Sequence, residues 1–180
     1  MKDRMVERFG HGVLKRSALN LSGGAEVFDK VLKGKGYNHI VEIGTYKGAA
    51  AAYMSQYANK VTTFDLNHGR LEQLNDSFSR QELWSYLGID NVYLVLVDDN
   101  KDKFYYLRSM DFDFAFIDGA HDETVMNDFE NVKRCGHVLF HDYADRGQPC
   151  LNHVYDFVNS LPKEQIQIMD GFALWTDPCM

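Results

Sequence analysis

Short apolar runs alternate with longer segments of helical periodicity along most of the chain. The runs are rich in β-branched and aromatic residues, which is typical of buried strands, and NVYLVLVDD (91–99) is the clearest of them. The segments between them end at glycines such as Gly34 and Gly136, as helices commonly do. The pattern predicts strands at 39–44, 60–66, 91–99, 113–119 and 137–142. It predicts helices at 25–34, 47–58, 101–110, 122–136 and 149–161, and one or two more across 69–88.

The end of the chain breaks this alternation. EQIQIMDGFALWT (164–176) reads as two short strands around Asp170-Gly171, which is a strong signal for a tight antiparallel hairpin. Strands that alternate with helices form parallel βαβ units with right-handed crossovers. We therefore predict a Rossmann-like, doubly wound α/β fold, with a mostly parallel seven-stranded sheet, a C-terminal antiparallel hairpin and helices on both faces. Ligands of such sheets bind outside the carboxyl ends of the strands.

Composition narrows the classes of function. The chain has 180 residues, which suits one domain; we assign it to 24–180, with 1–23 as an N-terminal extension or partial lid. A net charge of −7 repels phosphate backbones, so we expect no nucleic-acid partner. The three cysteines show no CxxC spacing, which argues against a zinc site or a disulfide framework. No apolar run could span a membrane and no signal core opens the chain, so we expect a cytoplasmic protein without a membrane partner.

The first candidate site is the turn VEIGTYKG (41–48), where a predicted strand runs into Gly44 and a helix opens near Gly48. Glycines allow close approach of the backbone to a ligand, and a helix N-terminus offers free N–H groups to an anion. Asp65, at the end of the next predicted strand, can accept hydrogen bonds from two ribose hydroxyls. A turn without a ligand and a helix-capping Asp65 are the alternative interpretations. Together the two features favour a nucleoside-binding sheet, but they do not separate an adenosyl cofactor from a dinucleotide.

Five motifs follow one another at the ends of the predicted strands: VEIGTYKG, TTFDL, LVLVDD, FIDGAHDETVMNDFENV and GHVLFHDY. This order, over roughly residues 24–176, resembles the class I S-adenosylmethionine-dependent methyltransferases, most closely the small-molecule O-methyltransferases whose fourth strand reads IDG-x-H. The resemblance implies S-adenosylmethionine as cofactor and a small hydroxylated molecule as methyl acceptor. It implies cofactor contacts from Glu42, Gly44, Thr45, Tyr46 and Gly48 at the methionine part, Asp65 at the ribose, Asp98 or Asp99 at the adenine, and Asp118.

The resemblance also implies a catalytic cluster at the ends of the fourth and fifth strands. Asp118, His141 and Asp142 would be ligands of a divalent metal, Mg²⁺ or Mn²⁺, while Asp118 and His121 would be catalytic, with His121 as the general base. The metal-dependent members of the family carry an acidic residue where this chain has His141. An imidazole shifts metal preference from Mg²⁺ toward Mn²⁺, iron or zinc. The alternatives are metal-free methyl transfer, with His141 positioning the substrate, and purely structural roles for all four residues.

Two further interpretations of the function stay open at the level of sequence. The chain could be a non-catalytic, methyltransferase-like binding module, or a nicotinamide-dependent oxidoreductase, although the turn lacks the full G-x-G-x-x-G motif. Few residues precede the first predicted helix to shape an acceptor pocket, so we expect a homo-oligomer. Trp84 and Tyr86, on an amphipathic segment, would lie either in the core or on a dimer surface.

Overall fold

A seven-stranded sheet forms the centre of the protein in the computed structural model, which describes residues 1–14, 17–20, 23–66, 78–120, 122–144, 147 and 152–179. Its strands are β1 (Tyr37–Ile43), β2 (Ala58–Leu66), β3 (Val92–Val97), β4 (Phe114–Ile117), β5 (His137–Phe140), β6 (Ile166–Met169) and β7 (Phe172–Thr176). The central strands β1 and β4 are almost continuously buried, as expected for parallel strands that are covered on both faces.

The strand order is β3-β2-β1-β4-β5-β7-β6. Strands β1 to β5 pair in parallel, and β7 runs antiparallel between β5 and β6. The predicted doubly wound sheet with its C-terminal hairpin is confirmed. The order of the strands reverses between β1 and β4, and this reversal creates the crevice in which such sheets bind ligands.

Seven α-helices lie within the described residues, and they pack on both faces of the sheet. They are α1 (Lys2–Phe9), α2 (Gly24–Leu32), α3 (Ala49–Met54), α4 (Arg80–Leu87), α5 (Asn100–Arg108), α6 (Thr124–Val132) and α7 (His153–Ser160). Helices α1 to α4 contribute side chains to one buried cluster, and α5 to α7 contribute to a second cluster on the opposite face. None of the helices in these parts of the chain is long and apolar enough to cross a membrane.

Element boundaries differ from the predicted ones where pairing with another strand outweighs local preference. The helix predicted over 47–58 ends at Met54, and Ala58 already belongs to β2, where it pairs with Tyr37. Alanine favours helices, so the local sequence predicts Ala58 as part of the helix. Its pairing with β1 is a contact between residues far apart in the chain, which local preference does not reveal. Of the helical segment predicted across 69–88, residues 69–77 lie outside the described residues, and α4 covers the rest.

The described part of the first 23 residues packs against the helices that cover one face of the sheet. Met5 in α1, Val13 and Leu14 in the following 3₁₀ turn, and Leu19 are all buried in the same cluster as α2, α3 and α4. The segment therefore adds to the apolar core. Its predicted role as a partial lid stays a prediction.

A buried ion pair joins the two helices next to the candidate site. Lys103 Nζ of α5 lies 2.5 Å from Asp128 Oδ1 of α6, and the two side chains are 7% and 1% exposed. Burial raises the pKa of Asp128, whereas the charge and hydrogen bond of Lys103 act in the opposite direction. Asp128 Oδ2 also approaches Gly119, where an added Cβ would lie 3.7 Å away. The pair therefore lies beside the backbone just after β4.

Removing the cation of this pair should strongly destabilise the fold. Lys103→Met leaves the Asp128 carboxylate buried without its partner, and we expect it to lower the free energy of unfolding by about 3–5 kcal/mol. The double variant Lys103→Met/Asp128→Leu should recover most of that loss. The matched control is Lys133→Met, which breaks the exposed pair with Glu130 and should cost less than about 1 kcal/mol. Urea unfolding followed by circular dichroism measures all three, and equal costs for the two single variants would contradict the prediction.

Candidate functional site

The carboxyl end of β1 turns at Gly44 directly against the end of β4. Gly44 has a φ of 98°, and its amide donates a hydrogen bond to the Phe64 carbonyl at 2.9 Å. The Asp118 amide donates to the Ile43 carbonyl at 2.8 Å. A Cβ atom at Gly44 would lie 2.1 Å from the Asp118 carbonyl oxygen, so only glycine permits this approach. The candidate cofactor turn and Asp118 are therefore in direct backbone contact.

The second half of the turn rests on α4. Tyr46 and Gly48 both adopt positive φ, at 46° and 75°. Trp84 is 7% exposed, and its Nε1 donates to the Gly48 carbonyl at 3.0 Å. The indole ring fills the space beside Gly48, where an added Cβ would lie 2.8 Å from the ring. Of the two placements expected for Trp84, the structure shows a core position, with its polar edge bonded to the turn.

Arg80 joins the same turn to the end of β2. Its Nε donates to the Tyr46 carbonyl, and one of its terminal nitrogens forms an ion pair with Asp65 Oδ2. The Arg80 side chain is 5% exposed and that of Asp65 is 27% exposed. The other oxygen, Asp65 Oδ1, accepts from the Leu66 amide at 2.9 Å. Sequence reasoning missed Arg80, because its partners lie 15 and 34 residues away along the chain.

A local sequence signal does mark the start of α4. Ser79 and Glu82 form a capping box, in which the Glu82 amide donates to Ser79 Oγ at 3.2 Å and the Ser79 amide donates to Glu82 Oε2 at 2.6 Å. The S-x-x-E spacing typical of this motif is visible in the sequence. It fixes Arg80 as the first residue of the helix and Trp84 as its neighbour one turn later on the same face.

Glu42 is fully buried beside the turn. The Thr63 hydroxyl donates to its Oε2, and Thr45 Oγ1 lies 2.6 Å from the same hydroxyl. Its other oxygen, Oε1, has no hydrogen-bond partner among the described residues. Burial, with smaller contributions from the charges of Asp118 and Asp65, raises the pKa of Glu42 well above its usual value, although the Thr63 bond opposes the shift. A buried, unpaired carboxylate oxygen fits a cationic ligand group.

The turn is also tied to the N-terminal segment. Lys47 is 6% exposed, and its Nζ donates to the Gly12 carbonyl at 2.9 Å. Gly12 belongs to the 3₁₀ turn His11–Leu14 that follows α1. The ammonium group also lies over the rings of Tyr46 and Phe78, at 5.5 and 5.8 Å from their centroids.

The two aspartates at the end of β3 differ in their local contacts. Asp99 is the N-cap of α5, where its Oδ1 accepts from the amides of Lys101 and Asp102 at 2.7 and 3.0 Å. Asp98 is exposed at the same strand end. The capping contacts occupy one carboxylate oxygen of Asp99, and adenine contacts from either residue stay a prediction.

The ends of β4 and β5 bring Asp118, His141 and Asp142 together, with potential ligand atoms within 4.8 Å of one another. His141 Nδ1 lies 2.7 Å from Asp118 Oδ1 and 3.3 Å from Asp142 Oδ2. Burial alone would lower the pKa of His141, but the two carboxylates outweigh it and raise that pKa to about 10. Asp142 has a φ of 56°, a left-handed conformation that helps to turn its carboxylate back toward the imidazole.

The opposite edge of the His141 ring is apolar. Nε2 is buried without a hydrogen-bond partner in the described part of the chain, and the rings of Phe116 and Phe172 lie 6.4 and 5.1 Å away. The ring therefore directs Nδ1 at the two carboxylates. Such a cluster can hold a divalent cation, or it can hold an imidazolium between two carboxylates. His121, the predicted base, lies outside the described residues.

The sequence model of a protein family described as "Methyltransferase domain" matches residues 41–143. This match runs from the strand before the glycine turn to just beyond His141 and Asp142. The chain belongs to this methyltransferase family. Membership favours the methyltransferase interpretation over the nicotinamide-dependent alternative, and it agrees with the inserted antiparallel β7.

Solved structures share the fold of this methyltransferase at low sequence identity. The O-methyltransferase TomG from Streptomyces achromogenes, involved in tomaymycin synthesis and solved with S-adenosylmethionine, has a TM-score of 0.69 at 15% identity, covering 95% of this chain and 88% of TomG. An O-methyltransferase from Bacillus cereus, in complex with S-adenosylhomocysteine, has a TM-score of 0.68 at 15% identity, covering 95% and 91%. An rRNA methylase from Streptococcus thermophilus has a TM-score of 0.56 at 16% identity, covering 84% and 93%. No curated protein sequence matches the chain significantly. These likenesses establish the class I methyltransferase fold.

The contact at Gly44 gives a direct test of this geometry. Gly44→Ala combines a left-handed backbone with a clash against the Asp118 carbonyl, and we expect it to lower the free energy of unfolding by about 3 kcal/mol or more. The matched control is Gly88→Ala, which has a φ of 71° but open space around the added Cβ. It should cost only the backbone strain, about 1–2 kcal/mol. Urea denaturation of both variants measures the difference, and equal losses would show that the approach of β1 to β4 is looser than described.

Proposed function

We propose that this methyltransferase transfers the methyl group of S-adenosylmethionine to a hydroxyl oxygen of a small acceptor molecule. The reaction would occur where the carboxyl ends of β1, β4 and β5 meet. The observation that supports this proposal is the backbone contact between Gly44 and Asp118, because the turn proposed to hold the cofactor then lies next to the cluster proposed to activate a hydroxyl. Transfer between two bound groups requires this kind of adjacency, because alignment supplies much of the rate.

The cofactor fits the residues around the turn. Bound S-adenosylmethionine would supply a methyl group carried on a sulfonium. As the acceptor oxygen bonds to the methyl carbon, the bond from sulfur to that carbon breaks, and the cofactor leaves as the thioether S-adenosylhomocysteine. The unpaired Oε1 of buried Glu42 would bind the amino group of the methionine part, and Asp65 would accept hydrogen bonds from the ribose. Gly44, Thr45, Tyr46 and Gly48 would lie along the methionine part, with Asp98 or Asp99 toward the adenine.

The cluster at β4 and β5 fits a divalent cation. Asp118, His141 and Asp142 would hold it, and a bound cation would lower the pKa of the acceptor hydroxyl. One imidazole nitrogen beside two carboxylates suits Mn²⁺, iron or zinc better than Mg²⁺. His121 would take the acceptor proton, as the resemblance to the IDG-x-H enzymes implies.

A small acceptor agrees with the charge of the chain and with the named functions of similar structures. The net charge of −7 disfavours a polyanionic substrate. TomG and the Bacillus cereus enzyme, both O-methyltransferases, resemble this chain more closely than the rRNA methylase does, with TM-scores of 0.69 and 0.68 against 0.56. A homo-oligomer that completes the acceptor pocket stays a prediction.

Methyl transfer can be measured with labelled S-adenosylmethionine and a panel of phenolic and catechol acceptors, with Mn²⁺ or with EDTA. We expect His121→Gln to lower kcat about 100-fold or more while the Kd for S-adenosylhomocysteine changes little. Asp118→Asn should abolish any stimulation by Mn²⁺ and weaken Mn²⁺ binding measured by calorimetry. The control is Asp156→Asn, an exposed residue of α7, which should behave like the unmodified protein.

Two outcomes would contradict the proposal. Tight binding of S-adenosylhomocysteine without transfer to any acceptor, with or without metal, would favour the non-catalytic binding module. Binding of NADH without binding of either adenosyl ligand would exclude methyl transfer at this site.

Binding of the cofactor product should be coupled to proton release at Glu42. Its pKa is raised in the ligand-free protein, and a neighbouring amino group would favour the ionised carboxylate. Below the raised pKa, the protein must therefore lose a proton to bind, so affinity should rise with pH and level off above that pKa. Calorimetry in phosphate and in Tris at one pH gives the number of protons released. Glu42→Gln should abolish the buffer dependence, whereas Glu26→Gln, on the exposed side of α2, should leave it intact.

A further inference from the structure

We propose that Arg80 is a positioning residue for the cofactor's ribose: its guanidinium holds the Asp65 carboxylate in the orientation that receives the two ribose hydroxyls. The inference rests on the proposed function, since it assigns a supporting residue to the same cofactor site. It adds a residue that orients the Asp65 carboxylate, which neither the glycine turn nor the other strand-end carboxylates do.

The geometry of the carboxylate carries the argument. A carboxylate has about four acceptor sites on its two oxygens. The Leu66 amide takes one site on Oδ1 and Arg80 takes one on Oδ2. Among the described residues, one site on each oxygen is left, which matches the two adjacent hydroxyls of a ribose. Because both oxygens are held from the protein side, rotation of the Asp65 side chain is restricted before a ligand arrives.

The two side chains of this ion pair differ in their exposure to solvent. The Arg80 side chain is 5% exposed, whereas that of Asp65 is 27% exposed, so the carboxylate and not the guanidinium reaches the solvent side. A guanidinium is a planar fork, and here it bonds the Tyr46 carbonyl and Asp65 at the same time. It thereby sets the distance between the glycine turn and the end of β2, the two parts that would hold the methionine and ribose portions of one ligand.

The position of Arg80 is itself fixed. The capping box of Ser79 and Glu82 defines where α4 begins, and Trp84 anchors the next turn of the helix to the Gly48 carbonyl. Arg80 therefore contacts the turn from a helix that is bonded to it at a second point. A residue held in this way acts by preorganisation, which lowers the cost of ordering the site on binding.

The test compares S-adenosylhomocysteine with its 2′-deoxy and 3′-deoxy analogues by calorimetry on the full chain. The unmodified protein should bind each deoxy analogue at least about tenfold more weakly, because a hydrogen bond to a carboxylate is lost. Arg80→Met should weaken S-adenosylhomocysteine about tenfold and reduce the penalty for the deoxy analogues to less than about threefold. In an Asp65→Asn background, the same substitution should have little further effect, since both changes remove one interaction.

Two controls separate positioning from loss of structure. Arg108→Met removes an exposed arginine of α5 that bonds Asn131, and it should change neither the affinity nor the ratio between the ligands. If Arg80→Met does not fold, Arg80→Lys provides the same test, because a single ammonium lacks the fork, and the deoxy penalty should fall at least in part.

The outcomes are distinguishable. Tighter binding of S-adenosylhomocysteine by Arg80→Met would mean that Arg80 competes with the ribose, and an unchanged deoxy penalty would mean that it only supports the fold. Either result overturns this inference and leaves methyl transfer untouched. Failure of the unmodified protein to bind S-adenosylhomocysteine would overturn the proposed function and this inference with it.

Discussion

The contact between the end of β1 and the end of β4 is the constraint on which the candidate site depends. Gly44 lies so close to the Asp118 carbonyl that no side chain fits between them. Strand pairing alone would bring the two strand ends near each other, but the missing Cβ lets the turn fold over the end of β4. Glu42 on β1 and Asp118 just after β4 consequently share one electrostatic environment, as the effect of Asp118 on the pKa of Glu42 indicates.

The glycine turn and the carboxylate cluster of the candidate site are held in place by different parts of the fold. Helix α4 bonds the carbonyls of Tyr46 and Gly48, so the turn proposed to hold the cofactor is fixed by donors from a helix. The cluster proposed to face the acceptor, Asp118, His141 and Asp142, lies at strand ends beside the rings that flank His141.

The sequence predicts the sheet and the strand-end carboxylates well, because both follow from local periodicity. Most of the apolar runs end at or next to an acidic residue or a glycine, and parallel strands collect those ends at one edge. The hydrogen bonds from α4 to the glycine turn could not be predicted in this way, because Arg80 and Trp84 each bond a carbonyl more than 30 residues away along the chain. The pairing of Ala58 with Tyr37 was missed for the same reason. The choice between Asp98 and Asp99 stayed open because neighbouring residues of a strand point to opposite sides, and the sequence does not show which side faces the site.

The bond from Lys47 to Gly12 joins the donor turn to the chain's first residues. Lys47 is buried, with 6% of the residue exposed, so loss of this acceptor would leave a largely desolvated donor. Gly12 belongs to the 3₁₀ turn that follows α1, so this bond links the packing of the amino-terminal segment to the conformation of the glycine turn. A change in that segment would therefore reach the turn proposed to hold the cofactor without altering any residue of the turn itself.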